Sequence, residues 1–154
     1  MRLRTLVISA AFFMAICAPV ISRAQGTGRS LDIQPGGRQN AMGAAGVALP
    51  DDATGVTWWN PAGLGFVDRS AVELTYAQLV PGLATDVSYN YATWVRPMGG
   101  WGAMALNMVF LSYGTSPGYD PNNVFTGDFS SNEWAPEISY GTRVLPDLAV
   151  GASL

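Results

Sequence analysis

Residues 70–77, SAVELTYA, decide the fold class. Val72, Leu74 and Tyr76 fall on one side of a period-two pattern, and Glu73, Thr75 and Ala77 fall on the other. Alternation of this kind is the mark of a strand with two different faces. It recurs downstream. Val87, Tyr89, Tyr91 and Val95 alternate with Asp86, Ser88, Asn90 and Arg96. Gly102, Met104, Leu106, Met108 and Phe110 alternate with Ala103, Ala105, Asn107, Val109 and Leu111, which are only slightly more polar. Trp134, Pro136, Ile138, Tyr140 and Val144 alternate with Glu133, Glu137, Ser139 and Gly141. Leu148, Val150, Ala152 and Leu154 begin a fifth set. The expectation is an all-β, antiparallel sheet of about five strands. Pro136 argues against a regular central ladder at its position, because proline donates no hydrogen bond.

The connections run short, short, long, short. Residues 81–85, 97–100 and 145–147 read as short turns, and 115–132 reads as a long polar loop. With a periplasmic N-terminus the long loop faces outward, the short-turn, long-loop asymmetry of outer-membrane barrels. Tyr76, Trp94, Trp101, Tyr113 and Trp134 fall near strand ends, where aromatic girdles sit, although the face assigned to Trp94 turns it inward. A strand in lipid must pair every backbone N–H and C=O, and only closure removes the edges. The smallest such barrels use about eight strands. About five strands cannot close alone, so the expectation is a truncated chain or a barrel shared between protomers.

Upstream lies a stretch with the layout of a secretion signal. Arg2 and Arg4 precede an apolar run from Leu6 to Ile21, and Ser22 and Ala24 occupy the positions a signal peptidase inspects. Cleavage is expected before Gln25, leaving residues 1–24 as the signal peptide. Ile16 precedes Cys17, which does not suit a lipoprotein site. Cys17 is the single cysteine and leaves with the signal; histidine and lysine are absent. The mature chain keeps five arginines against eleven carboxylates, a net charge of −6. Such a chain offers no basic patch for nucleic acid. It also lacks the His and Cys ligands of the common metal sites and most nucleophile–base pairs. No cofactor is expected. Beyond the signal, the longest apolar run, 101–111, is too short for a transmembrane helix.

Between signal and strands, residues 25–69 form a Gly-rich segment. Asp51 and Asp52 mark a turn, where aspartate is favoured for local hydrogen bonding rather than catalysis. Asn60 followed by Pro61 reads as a helix N-cap with proline at the first helical position. Asp120 and Asp128 in the outer loop are oxygen ligands without EF-hand spacing. No catalytic or metal-binding residue is assigned.

Three blocks in this segment carry a resemblance: 41–48, AMGAAGVA; 51–54, DDAT; and Trp58, Trp59, Asn60, Pro61, Ala62, Gly63 and Leu64. In this order, behind a signal and ahead of alternating strands, they resemble the opening of the PorV/PorQ family within the FadL-like outer-membrane β-barrel superfamily. The resemblance implies a transmembrane β-barrel whose N-terminal segment, 25–69, forms a small plug in the lumen, with residues 70–154 supplying the first strands. It implies an outer-membrane location in contact with lipid, and no enzymatic activity. It implies a part in type IX protein secretion or surface transport, with secretion components as partners. A FadL-like branch would instead take up hydrophobic ligands such as long-chain fatty acids. A structural or adhesive barrel displaying 115–132, and a secreted β-sandwich burying one sheet face, stay open on the residues alone. Glu73, Asn90, Arg96 and Glu137 are the candidate lumen-facing residues.

Overall fold

The computed structural model describes residues 28–154; the expected signal peptide falls outside the described residues. Five strands form one antiparallel meander in sequence order: β1 (Ala71–Gln78), β2 (Val87–Pro97), β3 (Ala103–Tyr119), β4 (Phe125–Leu145) and β5 (Leu148–Ser153). The sheet is open, with β1 and β5 at its edges.

The register sorts the side chains into straight rows. On one face, Val72, Trp94, Leu106 and Ile138 lie side by side across β1–β4, and Leu74, Ala92, Met108 and Pro136 form the next row. On the other face, Glu73, Thr93, Asn107 and Glu137 form a polar row across the same four strands. The apolar face is uncovered: Leu74 is 75% and Val72 67% exposed. The polar face carries the rest of the chain. Residues 28–70 run across it as short helical turns: a 3-10 turn Arg29–Asp32, an α-helix Gly37–Ala41, a π-type turn Gly55–Trp59 and a 3-10 helix Pro61–Phe66. The buried core therefore lies between this segment and the sheet. One cluster joins Ala53, Val56 and Leu64 to Val95, Ala103 and Ala105. A second joins Tyr89, Tyr91, Val109 and Leu111, with Ile33 and Trp58 packed on it.

Two sequence expectations are corrected. The long polar loop 115–132 is mostly strand. Residues 115–119 pair with 125–130, so β3 and β4 continue as a hairpin beyond the end of β2. Alternation fails there because the register shifts between Ser112 and Thr115, with Gly114 at φ 75°. A glycine in that conformation is what a β-bulge of this kind requires. Asp86 accepts the Thr115 N–H (2.7 Å) at the shift. The hairpin tip closes on Asp120, whose Oδ1 accepts from the amides of Asn122 and Val124 (both 2.8 Å). The second correction is the face of β2. Tyr89, Tyr91 and Val95 point toward the N-terminal segment, whereas Asn90, Trp94 and Arg96 lie on the uncovered apolar face. Periodicity separates the two sets but does not orient them; the register with β1 does.

Pro136 sits inside β4 and pairs with Met108. Ile138 exchanges both backbone bonds with Leu154, on the β5 side. Alternate residues of a strand direct their N–H groups to the same side. The position that Pro136 leaves without a donor thus faces the sheet edge, beyond the reach of β5, where proline is tolerated.

Asn107 is the centre of the polar row. Its Oδ1 accepts from Thr93 Oγ1 (2.8 Å) and its Nδ2 donates to Ser139 Oγ (3.2 Å), all three residues being buried. Replacing Asn107 by Ala removes the acceptor of the buried Thr93 hydroxyl and one of the three partners of Ser139. The expected cost is about 1–3 kcal/mol, measurable as a lowered melting temperature of the β signal in circular dichroism.

Candidate functional site

The site with the densest specific geometry is the seam between the N-terminal segment and the sheet. Asp52 starts the turn that leads into it. Its Oδ1 accepts from Gly55 N (2.6 Å), an N-cap contact, and both its oxygens accept from the buried Gln39 amide (2.9 and 2.8 Å). Arg38 donates to Asp51 (2.6 Å) and lies 3.7 Å from Asp52. The bond to Asp51 pushes the Arg38 guanidinium up, and the same bond holds the Asp51 carboxyl below its ordinary value. Both side chains of that pair are exposed, so it adds little to stability.

The block 58–64 then makes the contact with the sheet. Asn60 Oδ1 accepts from Ala62 N (3.2 Å), and Asn60 Nδ2 donates to the Val47 carbonyl (3.1 Å). Pro61 occupies the first helical position, where its missing N–H costs nothing. The backbone of Pro61 and Ala62 rests on Gly141 and Gly151, which face each other across β4 and β5. A Cβ on Gly141 would overlap the Pro61 carbonyl and stand 2.8 Å from Leu64 Cβ; one on Gly151 would stand 2.5 Å from Ala62 N. Only glycine admits this approach. Leu64 is fully buried beside Gly141, and Gly63 packs against Pro50 and Val56. Trp59 lies against Gly46, and Trp58 stands edge-on to Tyr91 at 5.9 Å. Phe66 is covered by the Arg143 guanidinium at 4.7 Å.

Two carboxylates of the sheet also hold the backbone of the segment. Glu73 Oε2 accepts from Thr54 N (3.0 Å), and Glu133 Oε2 accepts from Ser30 N (2.8 Å) while its Oε1 accepts from Tyr113 OH (2.6 Å). Thr57 Oγ1 shares a 2.7 Å hydrogen bond with Tyr91 OH. Among the four residues expected at the lumen, Glu73 and Glu137 stand on the face that carries the segment. Asn90 and Arg96 stand on the opposite one. Sequence reasoning overlooked Gly141, Gly151, Asn107, Ser139 and Glu133. The glycines carried a signal, since an isolated glycine in an alternating strand marks a close backbone approach.

Among the described residues no group of three or more His, Cys, Asp or Glu side chains could hold a metal ion. No helix among them is long and apolar enough to cross a membrane, which has no bearing on strands. Models of known protein families, curated proteins and solved structures were compared with the chain, and none of them matches it.

Gly151→Val is expected to lift residues 61–66 from the sheet at a cost of about 1–3 kcal/mol. Faster hydrogen exchange at Gly63 and Val67, whose amides are bonded within this turn, would report it. Gly100→Ala, with open space around it, serves as the neutral control. The contribution of Arg38–Asp51 is complete above the usual carboxylate range of about pH 4. It fades as pH falls through the lowered Asp51 value. Asp51→Asn should abolish that acid-limb dependence in a pH titration of stability while leaving neutral stability nearly unchanged.

Proposed function

We propose that this chain supplies the plug and first strands of an outer-membrane β-barrel of the PorV/PorQ type, acting in type IX secretion or another surface transport step. One observation carries the reading: a wide apolar face is left bare, while buried polar side chains lie on the covered face. The rows containing Val72, Leu74, Trp94, Leu106, Met108 and Ile138 are apolar and uncovered, and the covered face holds Glu73, Thr93, Asn107, Glu137 and Ser139 between its two apolar clusters. An apolar outside and a polar, plugged inside are what a barrel in lipid requires. A secreted sandwich would put its second layer on the apolar face instead.

Other features fit the same reading. The 98–102 and 146–147 turns lie at one end of the sheet, and the projecting β3–β4 hairpin lies at the other. Trp101 and Tyr140, joined through the Tyr140 hydroxyl and the Trp101 carbonyl, stand at the short-turn end of the apolar rows. Phe110 and Trp134, with ring centroids 4.3 Å apart, stand toward the hairpin end. From Tyr140 to Trp134 the strand climbs about 20 Å, within an apolar band roughly 25 Å tall. Arg96, near the short-turn end of β2, is placed to extend its head group to the interface. The open edges at β1 and β5 are the places where a barrel wall would continue. The alternative uses of such a barrel are FadL-like uptake of hydrophobic compounds and adhesion through the hairpin.

Leu106→Arg separates membrane from water. In a barrel wall the change costs about 2–4 kcal/mol near the bilayer midplane. On a solvated surface it stays within about 0.5 kcal/mol. The wild-type protein should leave membranes only with detergent; a detergent-free monomer would end the barrel reading. In a deletion strain, loss of surface cargo with normal uptake of hydrophobic compounds is the outcome expected for secretion.

A further inference from the structure

Between the N-terminal segment and the sheet lies an open cavity of about 390 Å³, within the range of small-molecule sites. Thr57, Trp58, Tyr91, Asn107 and Glu137 are among its lining residues. One carboxylate, that of Glu137, belongs to this lining, and no arginine does. Most other polar wall groups already have partners. Tyr91 OH bonds Thr57, and the Asn107 amide bonds Thr93 and Ser139. Glu137 accepts from Ser139 Oγ (3.1 Å). Among the described residues it forms no ion pair, since both ion pairs there belong to Arg38. Trp58 and Tyr91 meet edge-on at 83° beside the carboxylate's row, so the same cavity offers aromatic surface. An unpaired carboxylate next to aromatic rings is the chemistry that receives an ammonium group.

We infer that this cavity binds an alkylammonium group, its charge on Glu137 and its alkyl part against Trp58 and Tyr91. The inference deepens the barrel reading and rests on it for the route of entry alone, because the segment and the sheet form the cavity themselves. The group could arrive as a free amine or as a lysine side chain of a passing protein.

The test uses the full chain in detergent micelles, with n-butylammonium as probe and calorimetry as readout. Glu137→Gln keeps an acceptor for Ser139 and should weaken n-butylammonium about tenfold. Binding of the neutral n-butanol should be weaker than that of the ammonium and equal in the two proteins. Asp128→Asn, in the hairpin, controls for net charge and should change nothing. Trp58→Phe should retain binding and Trp58→Leu should lose several-fold, with circular dichroism checking that each variant folds. Binding of a lysine peptide, but not its norleucine counterpart, supports the side-chain source; binding of the free amine alone supports the small-molecule source. Equal n-butylammonium affinity in wild type and Glu137→Gln, or n-butanol bound as tightly as the ammonium, overturns the inference. Leu106→Arg tests the membrane independently, so failure of either reading is seen separately.

Discussion

The Pro61 carbonyl lies where side chains at residues 141 and 151 would otherwise stand, and the arrangement of the chain follows from that contact. Two strands must present glycine in register for a helical turn to touch them. Once the turn is seated, Leu64 is buried and Val56 meets Val95, Ala103 and Ala105. Trp58 comes to rest on Tyr91. The Asn60 cap and Pro61 favour the turn locally, and its contact with the sheet completes it.

Seating this segment on the polar face creates a burden of desolvated groups, and the sheet meets it with short hydrogen-bonded chains. Thr93, Asn107 and Ser139 are linked in turn, and Ser139 donates to Glu137 and accepts from Ser153. Glu73 and Glu133 take amides of the segment that would otherwise be buried without acceptors. A polar interior of this sort is costly when half satisfied. The opposite face needs no such arrangement, because its middle rows are hydrocarbon and aromatic and it is left uncovered. Polar groups gathered under the segment and apolar rows left bare are two sides of one distribution, and that distribution is what supports the proposed barrel.

Much of this was legible in the residues. Alternation in 71–78 and 133–144 gave strands with the right parity, and Asn60–Pro61 gave a helix start. The signal weakened wherever the two faces became similar. In β2, Tyr89 and Tyr91 look like an outer face because they are large and apolar; they are buried because Ile33 and Trp58, far away in sequence, pack on them. In 112–132 a bulge at Gly114 and polar residues on both faces erased the period while the backbone pairing continued.

The sequence by itself determined which residues alternate, where the chain turns, and that residues 25–154 are acidic and free of cysteine, histidine and lysine, since these depend only on local order and composition. The tertiary structure decided which face is inward, because orientation is set by register between strands and not by period within one. It also decided that Gly141 and Gly151 receive Pro61 and Ala62, and that Glu137 stands in a cavity beside Trp58. Those contacts join residues about eighty or ninety positions apart, and only the folded backbone brings them together.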